Sequence, residues 1–344
     1  MSGTSLDGLD IAACEFIFDD GNWSYRILDC QTFPYTTEWT EKITGLPQSD
    51  ALAFSVVNME YGHLLGKLTR SFMANTGFHP DLIASHGHTV FHQPEKRLTV
   101  QIGSGSALAA ETGIPVVCDF RSADLALGGQ GAPLVPIGDR LLFPEFDACL
   151  NLGGFANISM EKQGQRIAFD ICPVNIILNK LASGLGSPYD ANGELARTGT
   201  AIRGLLEKLN NLGYYQKLPP KSLGREWLEK IYIPVILEYN EPAQNILRTV
   251  CEHIAFQVNR SLNAETPCKT LVTGGGAHNI FLVDLIRTEG FHKWITPDKK
   301  LADFKEALIF AFLGVLRWKN EINVLRSVTG SRVDHTAGAL YRLK

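Results

Sequence analysis

Residues 148–170 read ACLNLGGFANISMEKQGQRIAFD. Three short runs, Ala148–Leu152, Asn157–Met160 and Arg166–Asp170, are joined by Gly153-Gly154 and by Lys162–Gln165. The pattern predicts a meander of short strands. Helical spacing then predicts helices over Ile176–Leu185, Glu194–Leu209 and Ala243–Ser261, a strand at Leu271–Thr273 and a helix over Asp303–Lys319. The meander opens a second round of strands first and helices afterwards.

The first half shows the first round. Leu9–Phe18 and Trp23–Phe33 read as strands, with Asp19-Asp20-Gly21-Asn22 as a hairpin turn. Ser49 is placed to cap a helix running to Asn75, with Leu52, Val56, Met59, Leu64 and Leu68 near helical spacing. Strands are expected at Leu82–Ser85, Leu98–Ile102 and Val116–Asp119, with a helix over Ser104–Glu111. Strands alternating with helices argue for an α/β architecture. Two rounds suggest two similar lobes with a cleft between them. Pro219, Pro220 and Lys221 mark a loop inside the second half.

The chain has 344 residues, enough for two domains and a sizeable core. A formal net charge of −4 argues against broad capture of nucleic acid. Seven cysteines show no Cys-x-x-Cys pair and match neither a disulfide framework nor a zinc site. They read as thiols of a reducing compartment. The start lacks a basic segment followed by an apolar one, so no signal peptide is expected. The apolar run Ala307–Leu316 is shorter than the ~20 residues a bilayer needs. The expectation is a cytoplasmic protein without a membrane partner.

Three glycine turns adjoin strands: Ser2-Gly3-Thr4-Ser5-Leu6-Asp7-Gly8, Asn151-Leu152-Gly153-Gly154-Phe155 and Thr273-Gly274-Gly275-Gly276-Ala277-His278-Asn279. Glycine lets backbone N–H groups approach phosphate closely. Asp7 is placed to hold a magnesium ion through water. Each turn alone reads more readily as a tight turn. None has the P-loop or dinucleotide spacing. A nucleotide kinase of two lobes needs one phosphate loop from each.

Ser85-His86-Gly87-His88-Thr89 with His92 reads as a pocket-lining loop rather than a metal site. Arg121 offers a fork for carboxylate or phosphate, or a surface ion pair. Asp170 ends a strand beside Pro173 and reads as a general base or as a helix cap. Glu306, in the first turn of its expected helix, fits the helix dipole.

These residues together resemble the 1,6-anhydro-N-acetylmuramic acid kinase family, part of the actin-like ATPase and sugar kinase superfamily. The likeness runs collinearly through Met1–Gly8, Ser85–Thr89, Asp119-Phe120-Arg121 with Asp124 and Gly128-Gly129-Gln130-Gly131-Ala132-Pro133-Leu134. It continues through Asn151–Asn157, Phe169-Asp170, Pro188-Tyr189-Asp190, Lys221-Ser222-Leu223-Gly224-Arg225, Thr273–Asn279, Glu306 and Ser327–Gly330.

The resemblance implies a two-lobed actin-like (ribonuclease H-like) fold with a nucleotide cleft. Residues 1–140, joined by 321–344, would form one lobe and 141–320 the other. It implies ATP, magnesium and a small-molecule sugar as reactants, and a homodimer. The reaction would open 1,6-anhydro-N-acetylmuramic acid with water and phosphorylate O6, in peptidoglycan recycling. Asp170 aligns with the catalytic base. Glu306, Arg121, Asp124 and His86 fall in the sugar pocket. Gly3, Thr4, Ser5, Asp7 and Gly8, then Gly153 and Gly154, then Gly274, Gly275, Gly276 and Asn279, align with the ATP loops. A related amino-sugar kinase and a non-catalytic nucleotide-binding protein are the other readings.

The chain departs from the family pattern at Val174, where glycine is usual, at Asn179, where aspartate is usual, and at His88, where glutamine is usual. Family members also carry a strand ahead of the position of Met1.

Overall fold

The computed structural model describes residues 1–3, 6–262 and 265–343. They form two compact units: Met1–Phe143 with Phe304–Lys344, and Pro144–Asp303. The α/β expectation holds in both.

The first unit opens with a long antiparallel hairpin, β1 (Gly8–Asp19) and β2 (Asn22–Pro34). Asp20 and Gly21 at its turn both take positive φ, as a two-residue hairpin turn with this twist requires. Helix α1 (Ala51–Thr76) follows. Its cap is Asp50 rather than Ser49: the Asp50 carboxylate accepts from Ala53 N–H at 2.7 Å. Leu52, Val56 and Met59 face solvent, and α1 instead buries Tyr61, Leu65 and Phe72. The buried set also includes Gly62 and Gly66, which let the helix Gly105–Thr112 approach closely.

Next come β3 (Ile83–Ser85), β4 (His88–Gln93), β5 (Leu98–Ile102) and β6 (Val116–Cys118). The expected loop at 85–92 is therefore mostly strand. β4 pairs antiparallel with β5, with an irregularity between Thr89 and Phe91. β3 runs parallel to β6, and the strand Ala339–Tyr341 pairs antiparallel on the other side of β6. Strands of this parallel pair end at Ser85 and Cys118, so His86 and Asp119 begin the loops at their carboxyl ends. Ligands in open α/β sheets gather at such ends.

Helix Lys299–Trp318 joins this unit from Phe304 onward, earlier than the expected return at 321. The reason is packing: Phe312 lies tilted against Phe16 and edge-on to Trp23, with centroids 5.3 and 5.0 Å away. Lys305 also forms a buried ion pair with Asp139 at 2.7 Å.

The second unit is built on a five-stranded sheet: β7 (Ala148–Leu152), β8 (Phe155–Lys162), β9 (Gln165–Pro173), β10 (Lys269–Thr273) and β11 (Lys293–Ile295). The order is β11-β10-β7-β8-β9. The predicted meander β7-β8-β9 is antiparallel, and β10 is parallel to both β7 and β11. Helix Ala243–Leu262 buries Leu247, Val250, Cys251, Ile254, Ala255 and Val258, a stripe at helical spacing. The expected helix 194–209 is two helices, Glu194–Thr198 and Arg203–Asn210. Gly199 is extended between them, so close to the Gln244 carbonyl that a side chain would collide.

Candidate functional site

In the second unit, parallel pairing places Asn151 at the end of β7 opposite Thr273 at the end of β10. The two glycine turns that follow therefore emerge side by side. Gly274 takes φ +86°, and a Cβ there would lie 2.5 Å from Asn151 Oδ1, so only glycine fits. Asn175 opens the helix Asn175–Ser183 and donates from Nδ2 to the Leu152 carbonyl at 3.0 Å.

Gly154 and Gly275 are different. A Cβ would meet nothing closer than 3.9 Å at Gly154 and 3.5 Å at Gly275, and neither has positive φ. The fold itself does not demand glycine at these two positions. Bare backbone beside a helix N-terminus fits the close approach of phosphate oxygens. Asn279 caps the helix Ile280–Thr288, its Oδ1 accepting from Leu282 N–H at 3.0 Å. Beside it, His278 and Lys299 both bond Asp303. Burial raises that carboxyl, but the two donors hold it below its ordinary value.

Asp170 lies on β9, the edge strand of the sheet. Burial pushes its carboxyl above the usual range, opposed by one hydrogen bond from Leu223 N–H to Oδ2 at 2.8 Å. The Tyr214 hydroxyl donates to the Asp170 carbonyl at 2.6 Å. The Asp170 N–H donates to the Lys221 carbonyl at 3.2 Å. A carboxylate with raised proton affinity is better matched to accepting a proton near neutral pH.

In the first unit, Arg121 Nε donates to His86 Nε2 at 3.0 Å, and Nη1 to the Gly131 carbonyl at 2.6 Å. Burial lowers the guanidinium to about 10, with Glu306 and Asp124 working against it. Burial, then Arg121, drives His86 well below its ordinary value, so the ring is neutral. Its Nδ1 lies 3.0 Å from the Gly87 carbonyl. The neighbours thus assign the proton to Nδ1 and leave Nε2 as acceptor. The Glu306 side chain reaches solvent, yet the surrounding protein desolvates its charge and raises its carboxyl against the pull of Arg121.

Asp124 is wholly buried, and both its oxygens are taken. Oδ2 accepts from Gly131 N–H and Oδ1 from the Thr329 hydroxyl, each at 2.7 Å. It braces the glycine turn at 128–131 from within. His88, also buried, lies with Nδ1 2.9 Å from the Ser2 hydroxyl.

The structure thus brings together His86, Arg121 and Glu306 in one unit and Gly153, Gly154 and Gly274–Gly276 in the other. Asp7 is exposed. Gly8 lies in β1 against the Phe33 carbonyl. Thr4 and Ser5 lie outside the described residues. Among the described residues no three His, Cys, Asp or Glu side chains cluster to hold a metal ion. Val174 has φ −129° and is fully buried in the core, so its position requires no glycine. Asn179 is exposed on its helix. Three partners of Asp170, namely Tyr214, Lys221 and Leu223, carry no assigned role in the sequence. The segment 221–225 was visible only as a motif, and Tyr214 carried no signal.

A family model described as anhydro-N-acetylmuramic acid kinase matches residues 1–343. The chain is 35% identical over 368 residues to the anhydro-N-acetylmuramic acid kinase of Photobacterium profundum, covering 99% of this chain and 97% of that one. It is 32% identical over 365 residues to that of Sulfurimonas denitrificans, covering 99% and 98%. Among solved structures, a ROK family glucokinase from Streptomyces griseus in complex with glucose and AMPPNP aligns with a TM-score of 0.40 and 11% identity, over 88% of this chain and 99% of that one. No helix among the described residues is long and apolar enough to cross a membrane.

Proposed function

Because the chain belongs to the anhydro-N-acetylmuramic acid kinase family, and is thus a phosphotransferase, we propose that it opens 1,6-anhydro-N-acetylmuramic acid with water and phosphorylates O6 from ATP. The products are N-acetylmuramic acid 6-phosphate and ADP, and the setting is peptidoglycan recycling in the cytoplasm. The observation that carries the reading is Asp170, a half-buried carboxylate of raised proton affinity with one oxygen already occupied.

Asp170 takes a proton from water, and the water oxygen bonds to the anomeric carbon. The bond from that carbon to O6 breaks. O6 takes the γ-phosphoryl group, and ADP leaves with the bridging electron pair. The proton on Asp170 is then lost to solvent. Glu306 and Arg121 hold the sugar, and His86 orients Arg121. The turns at Gly3–Gly8, Gly153-Gly154 and Gly274–Gly276 receive the nucleotide, with Asn279 fixing the last of them. Magnesium, when bound, neutralises phosphate charge, and Asp7 is the carboxylate assigned to it. Positioning and charge neutralisation are what phosphoryl transfer chiefly needs.

A related amino sugar is the second reading, favoured by the uncharged Asn179 exposed one turn beyond Asn175. The test is ADP release with magnesium and ATP, with and without the anhydro sugar, with product analysis. Sugar-dependent release of a ring-opened 6-phosphate supports the first reading. Turnover only on a non-anhydro amino sugar supports the second, and ATP binding without turnover on either sinks both.

A further inference from the structure

The segment 217–224 has no regular secondary structure between the turn Gly213–Gln216 and the helix Arg225–Trp227. Leu218 projects into solvent at 85% exposure, so the strap is not held by burial of its own tip. It is nonetheless fastened to the edge of β9. Its Lys221 carbonyl accepts from Asp170 N–H, and its Leu223 N–H donates to Asp170 Oδ2. An edge strand presents unpaired backbone groups, and this strap satisfies one of them at the residue that bears the base.

The fastening has a visible anchor. The Lys221 ammonium sits 4.8 Å from the centre of the Tyr214 ring and 5.7 Å from that of Phe169. Phe169 is the neighbour of Asp170 in β9, and Tyr214 is the residue whose hydroxyl holds the Asp170 carbonyl. Tyr214 in turn packs against Trp227, which follows the strap in sequence, with centroids 5.4 Å apart. A half-desolvated ammonium over two aromatic faces is a stronger tie than a surface ion pair.

We infer that Lys221 is a positioning residue for Asp170, clamping the strap so that Leu223 N–H fixes Oδ2 and Oδ1 is the oxygen that meets the water. The inference rests on the functional reading above and extends it. A carboxylate free to rotate would present either oxygen at varying distance, and small misplacements of a catalytic group are costly. In this role Lys221 acts through the strap and the two rings rather than on a reactant. Its effect belongs to the chemical step and not to nucleotide binding.

The experiment compares wild type with Lys221→Met, Lys221→Gln and Lys221→Arg. Met keeps a flexible apolar stem, Gln a shorter polar one, and both lose the charge, so that two variants guard against a local folding failure in either. Hydrogen exchange across 217–224 is expected to accelerate about 10-fold or more in both, as expected of local opening. In the same variants kcat falls about 10–100-fold while KM for ATP changes less than about 2-fold. Lys221→Arg, which keeps a cation over the rings, restores most of kcat. Unchanged exchange in both neutral variants overturns the clamp, whatever the activity. Faster exchange with wild-type kcat, or loss of kcat that Arg does not rescue, overturns the positioning role. A wild-type chain without sugar-dependent ADP release overturns the functional reading and the catalytic half of this inference with it, while exchange still decides the clamp.

Discussion

Arg121 and His86 are joined by a hydrogen bond in which the guanidinium Nε donates to the imidazole Nε2 at 3.0 Å. The pair leaves the fork of Arg121 fixed in direction and the imidazole neutral. Replacing Arg121 by Lys keeps the charge and loses the fork and the bond to Gly131. KM for the sugar is expected to rise about 10-fold or more, with KM for ATP little changed, because a point charge does not replace a planar donor set. Steady-state kinetics with each substrate varied in turn checks this. Equal changes in both constants would remove Arg121 from the sugar.

His86→Phe keeps the ring packing on Phe310, now 4.7 Å between centroids, and removes the acceptor for Arg121. A buried donor left unpaired costs about 1–3 kcal/mol, and the Nε of the half-buried Arg121 falls at the low end of that range. Thermal unfolding should therefore show a loss of stability as well as a raised sugar KM. A stable, fully active variant would show that Arg121 needs no such orientation.

Asp170→Asn should abolish sugar-dependent ADP release while leaving ATP binding intact. The same variant should be at least as stable as wild type near neutral pH. The sign follows from the raised carboxyl: the folded state binds its proton more tightly, so ionisation works against folding as pH rises through the native value. Asn keeps an acceptor for Leu223 N–H without the charge. Turnover near wild type would remove Asp170 from the chemistry.

Gly154→Ala and Gly274→Ala separate ligand space from fold requirement. The first adds a methyl into room the chain leaves open, so melting should be unchanged while KM for ATP rises about 10-fold. The second forces a side chain onto a backbone at φ +86° and against Asn151. It should lose about 1–3 kcal/mol of stability. If Gly154→Ala bound ATP as wild type does, the second phosphate turn would be assigned wrongly.

His253 supplies a test by pH. It is fully buried, with Nδ1 2.7 Å from Asn210 Oδ1 and Nε2 2.9 Å from the Tyr215 hydroxyl. Burial drives it from 6.5 down to about 3. The unfolded chain binds the proton first. Stability from this group is complete above about 6.5 and is lost progressively as pH falls toward 3. Chemical unfolding of wild type and His253→Gln across that window should show a shallower acid loss in the variant. Parallel curves would locate the acid sensitivity elsewhere.

Much of the local structure is legible in the order of residues alone. The meander β7-β8-β9 and the hairpin β1-β2 follow from short apolar runs punctuated by Gly-rich turns, signals that act over a few residues. The glycine turns and the candidate base were legible for the same reason, and the family was legible from their order. Long-range packing supplied what those signals cannot carry. Parallel pairing of β7 with β10 sets Asn151 opposite Thr273, joining two turns some 120 residues apart. Asp124 stands beside Arg121 in the motif, yet burial and the distant Thr329 turn it inward. Leu52, Val56 and Met59 have helical spacing, but the buried face of α1 is set by the helix it packs on. Asp170 acquires its raised proton affinity from burial in the folded chain, and its fixed oxygen only when Leu223 folds back across the edge of β9. Proton affinity depends on desolvation and on donors brought from elsewhere in the chain, and neither is a property of neighbouring residues in sequence.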